Sequence, residues 1–323
     1  MSAPVSATVK SSKHESEKLF SRFSSAFQVS IQSTIFLRIY KYFCIGVFGL
    51  ISLGGAVRAM NAGLSCPDWP LCFGQVIPDY HPQVYFEFIH RVVAGLVSIL
   101  ALALNIKIML SKEATSSVKW VAGGALLLLF GQVIMGGLTV LLQLHDKIVA
   151  GHLALGTGFF ALSLWVYLSV EYSRSYPGSA ATAQGRPAAT LILASVYAQI
   201  LLGGLVASNY AALVCTEFPL CHGEFIPTFH GIIGLHVIHR LGAYTLAIII
   251  TSAVVSILRK NSCVEFKKWA KVILALVFVQ IGIGIANVLF LTPPLITVLH
   301  LATGTLLLAV SIRLLRLSTF LRY

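Results

Sequence analysis

Eight apolar runs of about 20 residues each dominate this chain, at about 39–57, 88–110, 119–141, 148–170, 188–208, 232–257, 269–291 and 295–316. A helix needs about 20 apolar residues to cross a bilayer core of roughly 30 Å. Strands do not explain runs of this kind, because a membrane-spanning strand takes about ten residues and alternates in polarity. Charge is also scarce: 11% of the residues are charged, against about 25% in soluble domains. The expected fold is an all-α integral membrane protein with eight transmembrane helices.

The runs divide four and four. Residues 66–91 recur at 215–240, an offset of 149. Cys66 pairs with Cys215, Cys72 with Cys221, Pro70 with Pro219, Gly74 with Gly223, His81 with His230, His90 with His239 and Arg91 with Arg240. His152 recurs as His300, at an offset of 148. This reads as an internal duplication giving two tandem four-helix bundles. The expected units are a polar N-terminal segment (1–37), an N-terminal bundle (38–170), a linker (171–187), a C-terminal bundle (188–316) and a short tail (317–323). The N-terminal segment has no apolar core, which argues against a cleaved secretory signal.

Charge orients the helices. With both termini cytoplasmic, only Arg58, Arg91, Lys147 and Arg240 of the 23 Lys and Arg residues fall on or near the outer side. Basic residues concentrate on cytoplasmic loops, so the net charge of +12 is mainly an orientation signal. The expected partner is the lipid bilayer, not nucleic acid.

Both cysteine pairs then face outward, in the first and third outer loops. Thiols on an oxidising face tend to pair. Cys66 with Cys72, and Cys215 with Cys221, could be structural staples, redox-active pairs or metal ligands. The five-residue gap lacks the tight spacing usual for zinc. Cys44 and Cys263 have no counterpart in the repeat.

Histidines carry the sharper message. A single histidine in a membrane helix is often a packing residue. Here His90, His152, His239 and His300 all lie near the outer end of an even-numbered helix, at similar depth. Polar residues in membrane helices are costly and usually functional. Two imidazoles from two helices of one bundle can clamp a flat heme between them, which gives one site per half. Small residues support close approach of helices or of a macrocycle: Gly54 and Gly55 match Gly203 and Gly204, Gly131, Gly136 and Gly137 on the third helix answer Gly282 and Gly284 on the seventh, and Gly156 and Gly304 lie one turn after the second histidine of each half. The alternative is helix packing alone. His81 and His230 recur in the outer loops, and capping of the following helix is the favoured reading over assistance to heme binding.

One position separates the halves. Glu87 lies three residues before His90, on the same helical face, and its counterpart is His236. An intramembrane carboxylate beside a metal site suggests acid–base work or stabilisation of a developing cation; a carboxylate favoured by the helix dipole is the plainer alternative. Arg58, Arg91 and Arg240 sit at the outer interface, where heme propionates would lie. Arginine suits carboxylate contacts, and snorkelling to the interface would also explain them.

The stretch RAMNAGLSCPDWPLCFGQVIP at 58–78, the EFIHR at 87–91 and the HLALGT at 152–157 resemble the heme A synthase family, as do PLCHGEFIP and HVIHR in the second half. The likeness covers about residues 38–316. It implies an eight-helix membrane enzyme that oxidises the C8 methyl of heme O to a formyl, making heme A for terminal oxidases. It implies that Glu87, His90 and His152 serve the substrate heme O, and that His239 and His300 ligate a heme b. With both cysteine pairs present, the chain is similar to the class with two outer disulfides. Heme O synthase is then the expected donor of substrate, terminal cytochrome oxidase assembly the recipient, and a further, unnamed group the electron acceptor; a homo-oligomer stays open. The expected location is the bacterial plasma membrane ahead of the mitochondrial inner membrane.

Two other functions compete. A diheme b-type electron carrier explains the four histidines but not Glu87. A membrane thiol oxidoreductase explains the cysteines but leaves the histidines idle.

Overall fold

The computed structural model describes residues 29–176, 185–225, 227, 229–260 and 263–320. Most of the expected N-terminal segment (residues 1–28), the middle of the expected linker (177–184) and the end of the expected tail (321–323) lie outside the described residues, and with them Lys10, Lys13, Lys18, Arg22 and Arg322, which the charge pattern assigns to the cytoplasmic side. Among the described residues eight α-helices follow one another: α1 (Thr34–Ala59), α2 (Pro82–Leu110), α3 (Ser116–Leu141), α4 (Asp146–Ser175), α5 (Arg186–Ser208), α6 (Gly231–Lys260), α7 (Val264–Leu289) and α8 (Pro294–Leu317). All eight are long and apolar enough to cross a membrane. The chain is a multi-pass integral membrane protein.

The helices start earlier than the apolar runs alone indicate, because capping chemistry sits outside the apolar core. Ser33 accepts the N–H of Phe36 at 3.1 Å to begin α1, and Thr115 accepts that of Val118 at 3.4 Å to begin α3. Pro82, Pro187 and Pro294 occupy the first turns of α2, α5 and α8, where a missing N–H costs nothing. The polar N-terminal segment therefore gives way to helix at Thr34, and the linker shrinks from both sides, since α4 runs to Ser175 and α5 resumes at Arg186.

Odd-numbered helices end alike. Asn61, Gln143, Tyr210 and Leu291 take left-handed backbone conformations just past α1, α3, α5 and α7. Ala62 N–H bonds back to Val57 O, Leu144 N–H to Thr139 O and Thr292 N–H to Asn287 O. These turns satisfy the last carbonyls of each helix, which matters because an unmet backbone group is costly in lipid.

Two rings of contact organise the helices. α1, α2, α3 and α4 pack in sequence with α1 closing on α4, and α5, α6, α7 and α8 do the same with α5 closing on α8. Between the rings, α1 meets α8, α4 meets α5, and α4 meets α8. At that junction Gly55 lies under Leu301 and Gly204 under Leu153; a Cβ at either glycine would come within 2.5 and 2.7 Å of the leucine. Hydrogen bonds across helices add specificity: Tyr40 donates to Asn105 Oδ1 at 2.9 Å, and Tyr197 donates to Ala154 O at 2.9 Å.

Candidate functional site

Each of the four histidines rests on a glycine of the neighbouring helix. A Cβ added at Gly54 would sit 3.1 Å from His90 Cε1, at Gly136 3.2 Å from His152, at Gly203 3.1 Å from His239 and at Gly284 3.0 Å from His300. The rings therefore lie against bare backbone, held by α1, α3, α5 and α7. In the second half, His239 and His300 face each other with ring centroids 6.5 Å apart and planes at 80°. Bonds of about 2 Å from a metal to each ring nitrogen fit such a gap. In the first half, His152 is within electrostatic reach of His90. Buried nitrogens without partners, His90 Nδ1 and His152 Nδ1, lie in the same pair. Among the described residues no three His, Cys, Asp or Glu side chains converge as a metal site. Two imidazoles per half, seated on glycines, fit a flat group that supplies the metal's other ligands.

Glutamines brace three of the four rings, which the sequence reading missed. Gln132 Nε2 lies 3.2 Å from His152 Nε2. Gln199 Nε2 lies 3.1 Å from His239 Nδ1 and donates to His239 O at 2.8 Å. Gln280 Nε2 lies 3.2 Å from His300 Nδ1 and donates to His300 O at 2.9 Å. The signal was there for two of them: Gln132 and Gln280 stand 148 apart, like the histidines they touch. Glycines again make room, Gly156 beside Gln132, Gly304 beside Gln280 and Gly242 beside Gln199.

Glu87 and His236 are both buried, 7% and 4% exposed. Each accepts from the arginine one turn on: Arg91 Nε to Glu87 Oε1 at 2.9 Å, and Arg240 Nε to His236 Nε2 at 3.2 Å. The remaining donors of these arginines hold the loops between α1 and α2 and between α5 and α6. Arg91 donates to the carbonyls of Asp68, Leu71 and Cys66, and Arg240 to those of Leu220 and Cys215. Arg58 donates to Ala207 O at 3.0 Å and lies over the Tyr210 ring. In this structure all three arginines that the sequence places near propionates engage the protein's own backbone.

Those loops are closed by disulfides, Cys66–Cys72 and Cys215–Cys221. Cys72 and Gln75 exchange backbone bonds, as do Cys221 and Glu224. In the first loop the Asp68 carboxylate accepts the N–H groups of Phe73 and Gly74 at 2.6 and 2.8 Å. The Gly74 N–H above all, with that of Phe73 and the Arg91 charge, holds its carboxyl below the ordinary 3.8. Glu217 accepts from Gly223 at the matching place. Trp69 of the first loop lies on Gly137, beside the glycine under His152; the second half has Phe218 and Ile285 there. His81 stands at the N-cap of α2, but its side chain makes no capping bond. It lines an outward recess of about 350 Å³ with Phe73, Gln75, Asp79, Tyr80 and Val84.

Residues 38–312 match the COX15-CtaA family, described as cytochrome oxidase assembly protein. The heme A synthase of Shewanella oneidensis is 30% identical over 86% of this chain and 94% of its own length. The chain belongs to the heme A synthase family. The heme A synthase of Halalkalibacterium halodurans is 31% identical over 76% of this chain and 84% of its own, and that of Rhizobium etli 27% identical over 80% and 83%. The matched span begins within α1 and ends within α8, so both histidine pairs and both disulfide loops fall inside it.

Proposed function

We propose that this chain acts as a heme A synthase, oxidising the C8 methyl of heme O to a formyl, with the first half as the reaction site and the second as the seat of a resident heme b. The observation that carries the reading is the pair of glycine-seated histidine clamps, alike in framework and unlike at one ionisable position, Glu87 against His236. The shared offsets, the two rings of helix contact and the matched loops support an ancestral duplication. The distribution of Lys and Arg supports cytoplasmic termini, with clamps and disulfides toward the outer face. The named relatives are bacterial, which supports the bacterial plasma membrane.

Within this reading, His90 and His152 would hold the iron of the substrate heme, and His239 and His300 would hold heme b, which would supply one-electron transfer. Conversion of methyl to formyl takes two successive two-electron hydroxylations and loss of water, so four electrons pass to the further electron-accepting group expected above and protons leave near the reacting carbon. Glu87 is the buried carboxylate of that half and serves as proton acceptor or as counter-charge to a developing cation. Arg91 keeps its place by bonding it from one side and the disulfide loop from the other. Upstream, a heme O synthase supplies the substrate, and terminal oxidase assembly takes the product.

Expression with a heme O synthase, followed by extraction and chromatography of the hemes, tests the reading. Heme A together with heme b is the expected result. Heme b in both sites with heme O untouched would favour a two-heme electron carrier, and protein without heme would favour thiol chemistry at the loops.

A further inference from the structure

The Gln199 brace has no equivalent in the first half. Its register is secure, because Gly203 and Gly54 lie under His239 and His90 at the same offset of 149. At that offset Gln199 becomes Leu50, and Gly242, whose missing side chain makes room for the amide, becomes Val93. Two positions thus change together. A polar side chain over a glycine in one half is an apolar pair in the other. The result is visible at the rings. The Gln199 amide meets His239 once at ring Nδ1 and once at its backbone carbonyl, whereas His90 Nδ1 is buried without a partner. His152 and His300 are both braced, by Gln132 and Gln280.

We propose that Gln199, seated on Gly242, is a positioning residue that makes His239 a permanent ligand, and that Leu50 and Val93 leave His90 as the releasable one. This rests on the heme reading above. A carboxamide offers both a donor and an acceptor, so it serves an imidazole nitrogen in either tautomer. Partners of this kind fix ring orientation, and their loss typically costs 10–100-fold in metal affinity. A resident cofactor needs both of its ligands braced. A site that must admit heme O and release heme A works better with one ligand free to turn.

Exchanging the two pairs tests this. Gln199→Leu with Gly242→Val places in the second half the residues that stand at these positions in the first. Heme b should leave this variant for a heme-scavenging globin about 10–100-fold faster than it leaves the parent, with an altered midpoint potential. Leu50→Gln with Val93→Gly should do the reverse: more heme O and heme A should copurify, and product release should slow, an effect that a packing change alone does not give. His239→Ala runs beside them. If His239→Ala loses heme b while Gln199→Leu/Gly242→Val keeps the parental off-rate and potential, the brace is overturned and the heme reading stands. If the parent holds no heme b, both fall. Should the first variant not fold, unchanged heme retention in Leu50→Gln/Val93→Gly overturns the proposal.

Discussion

The two halves share a frame and differ in a handful of side chains around it. Both present two histidines on glycines, an arginine that ties helix to loop, and a disulfide that closes the loop. The first half adds Glu87, and Trp69 folded onto Gly137. The second has His236, Phe218 and Ile285 at these places and adds Gln199 on Gly242. On the proposed reading, the shared residues answer to the geometry of a flat ligand in both halves, and the differing ones to whether that ligand reacts and leaves or stays. The comparison then teaches that a reaction site and a storage site can be read apart even where their proposed ligands are the same.

The largest effects should come from the ligands. His239→Ala or His300→Ala should abolish the resident heme b spectrum, while His90→Ala or His152→Ala should abolish heme A formation and leave that spectrum largely intact. The opposite pattern in purified protein would reverse the assignment of halves.

Glu87→Gln comes next. It keeps size and hydrogen bonding to Arg91 but removes the charge, so the protein should fold and keep heme b. The oxidation should slow by about 10²–10⁴-fold, read as heme O, or a hydroxylated form of it, in extracts. A normal yield of heme A would reduce Glu87 to an anchor for Arg91.

The loops should separate less sharply. Six cysteines are present and two, Cys44 and Cys263, stand outside the disulfides. Alkylation should therefore count two thiols before reduction and six after. Cys66→Ser should lower stability yet spare the rate per folded molecule if the first disulfide is a staple; a rate collapse in well-folded protein would make it part of the chemistry.

The smallest effect concerns Asp68. Its folded carboxyl lies below the ordinary 3.8, through the N–H groups of Gly74 and Phe73 and the Arg91 charge. A depressed carboxyl supports the loop fully above its unfolded value and loses that support as pH falls through the folded one. Asp68→Asn should thus speed hydrogen exchange at the Phe73 and Gly74 amides near neutral pH, and the gap from the parent should close as acid protonates the carboxyl, at a pH below that of an ordinary aspartate. A gap independent of pH would remove the charge from the explanation.

Much of this was legible in the sequence, for physical reasons that also explain the rest. Spans of apolar residues mark helices because lipid demands them, yet helix ends such as Ser33 and Pro82 lie in the polar interface and escape a count of apolar residues. The histidines stood out because imidazole is costly in a membrane and four recur in register. Gln199 did not, since an uncharged amide without a counterpart looks like tolerated packing. The loop contacts of Arg91 and Arg240 were hidden for another reason: their acceptors are main-chain carbonyls, which every residue has. Only the folded loop shows which ones converge.

The contact of Gly55 with Leu301 bears on the order in which the protein is made. Its counterpart, Gly204 with Leu153, joins α5 to α4, neighbours in the chain that can pack as soon as both are inserted. Gly55 instead waits for α8, which leaves the ribosome after the other seven helices described. The helix that supports His90 through Gly54 therefore has an open flank until α8 is in place. A chain interrupted before residue 294 carries Glu87, His90 and His152 in full and still lacks the helix that covers Gly55, so the proposed reaction site is complete in sequence before it is complete in packing.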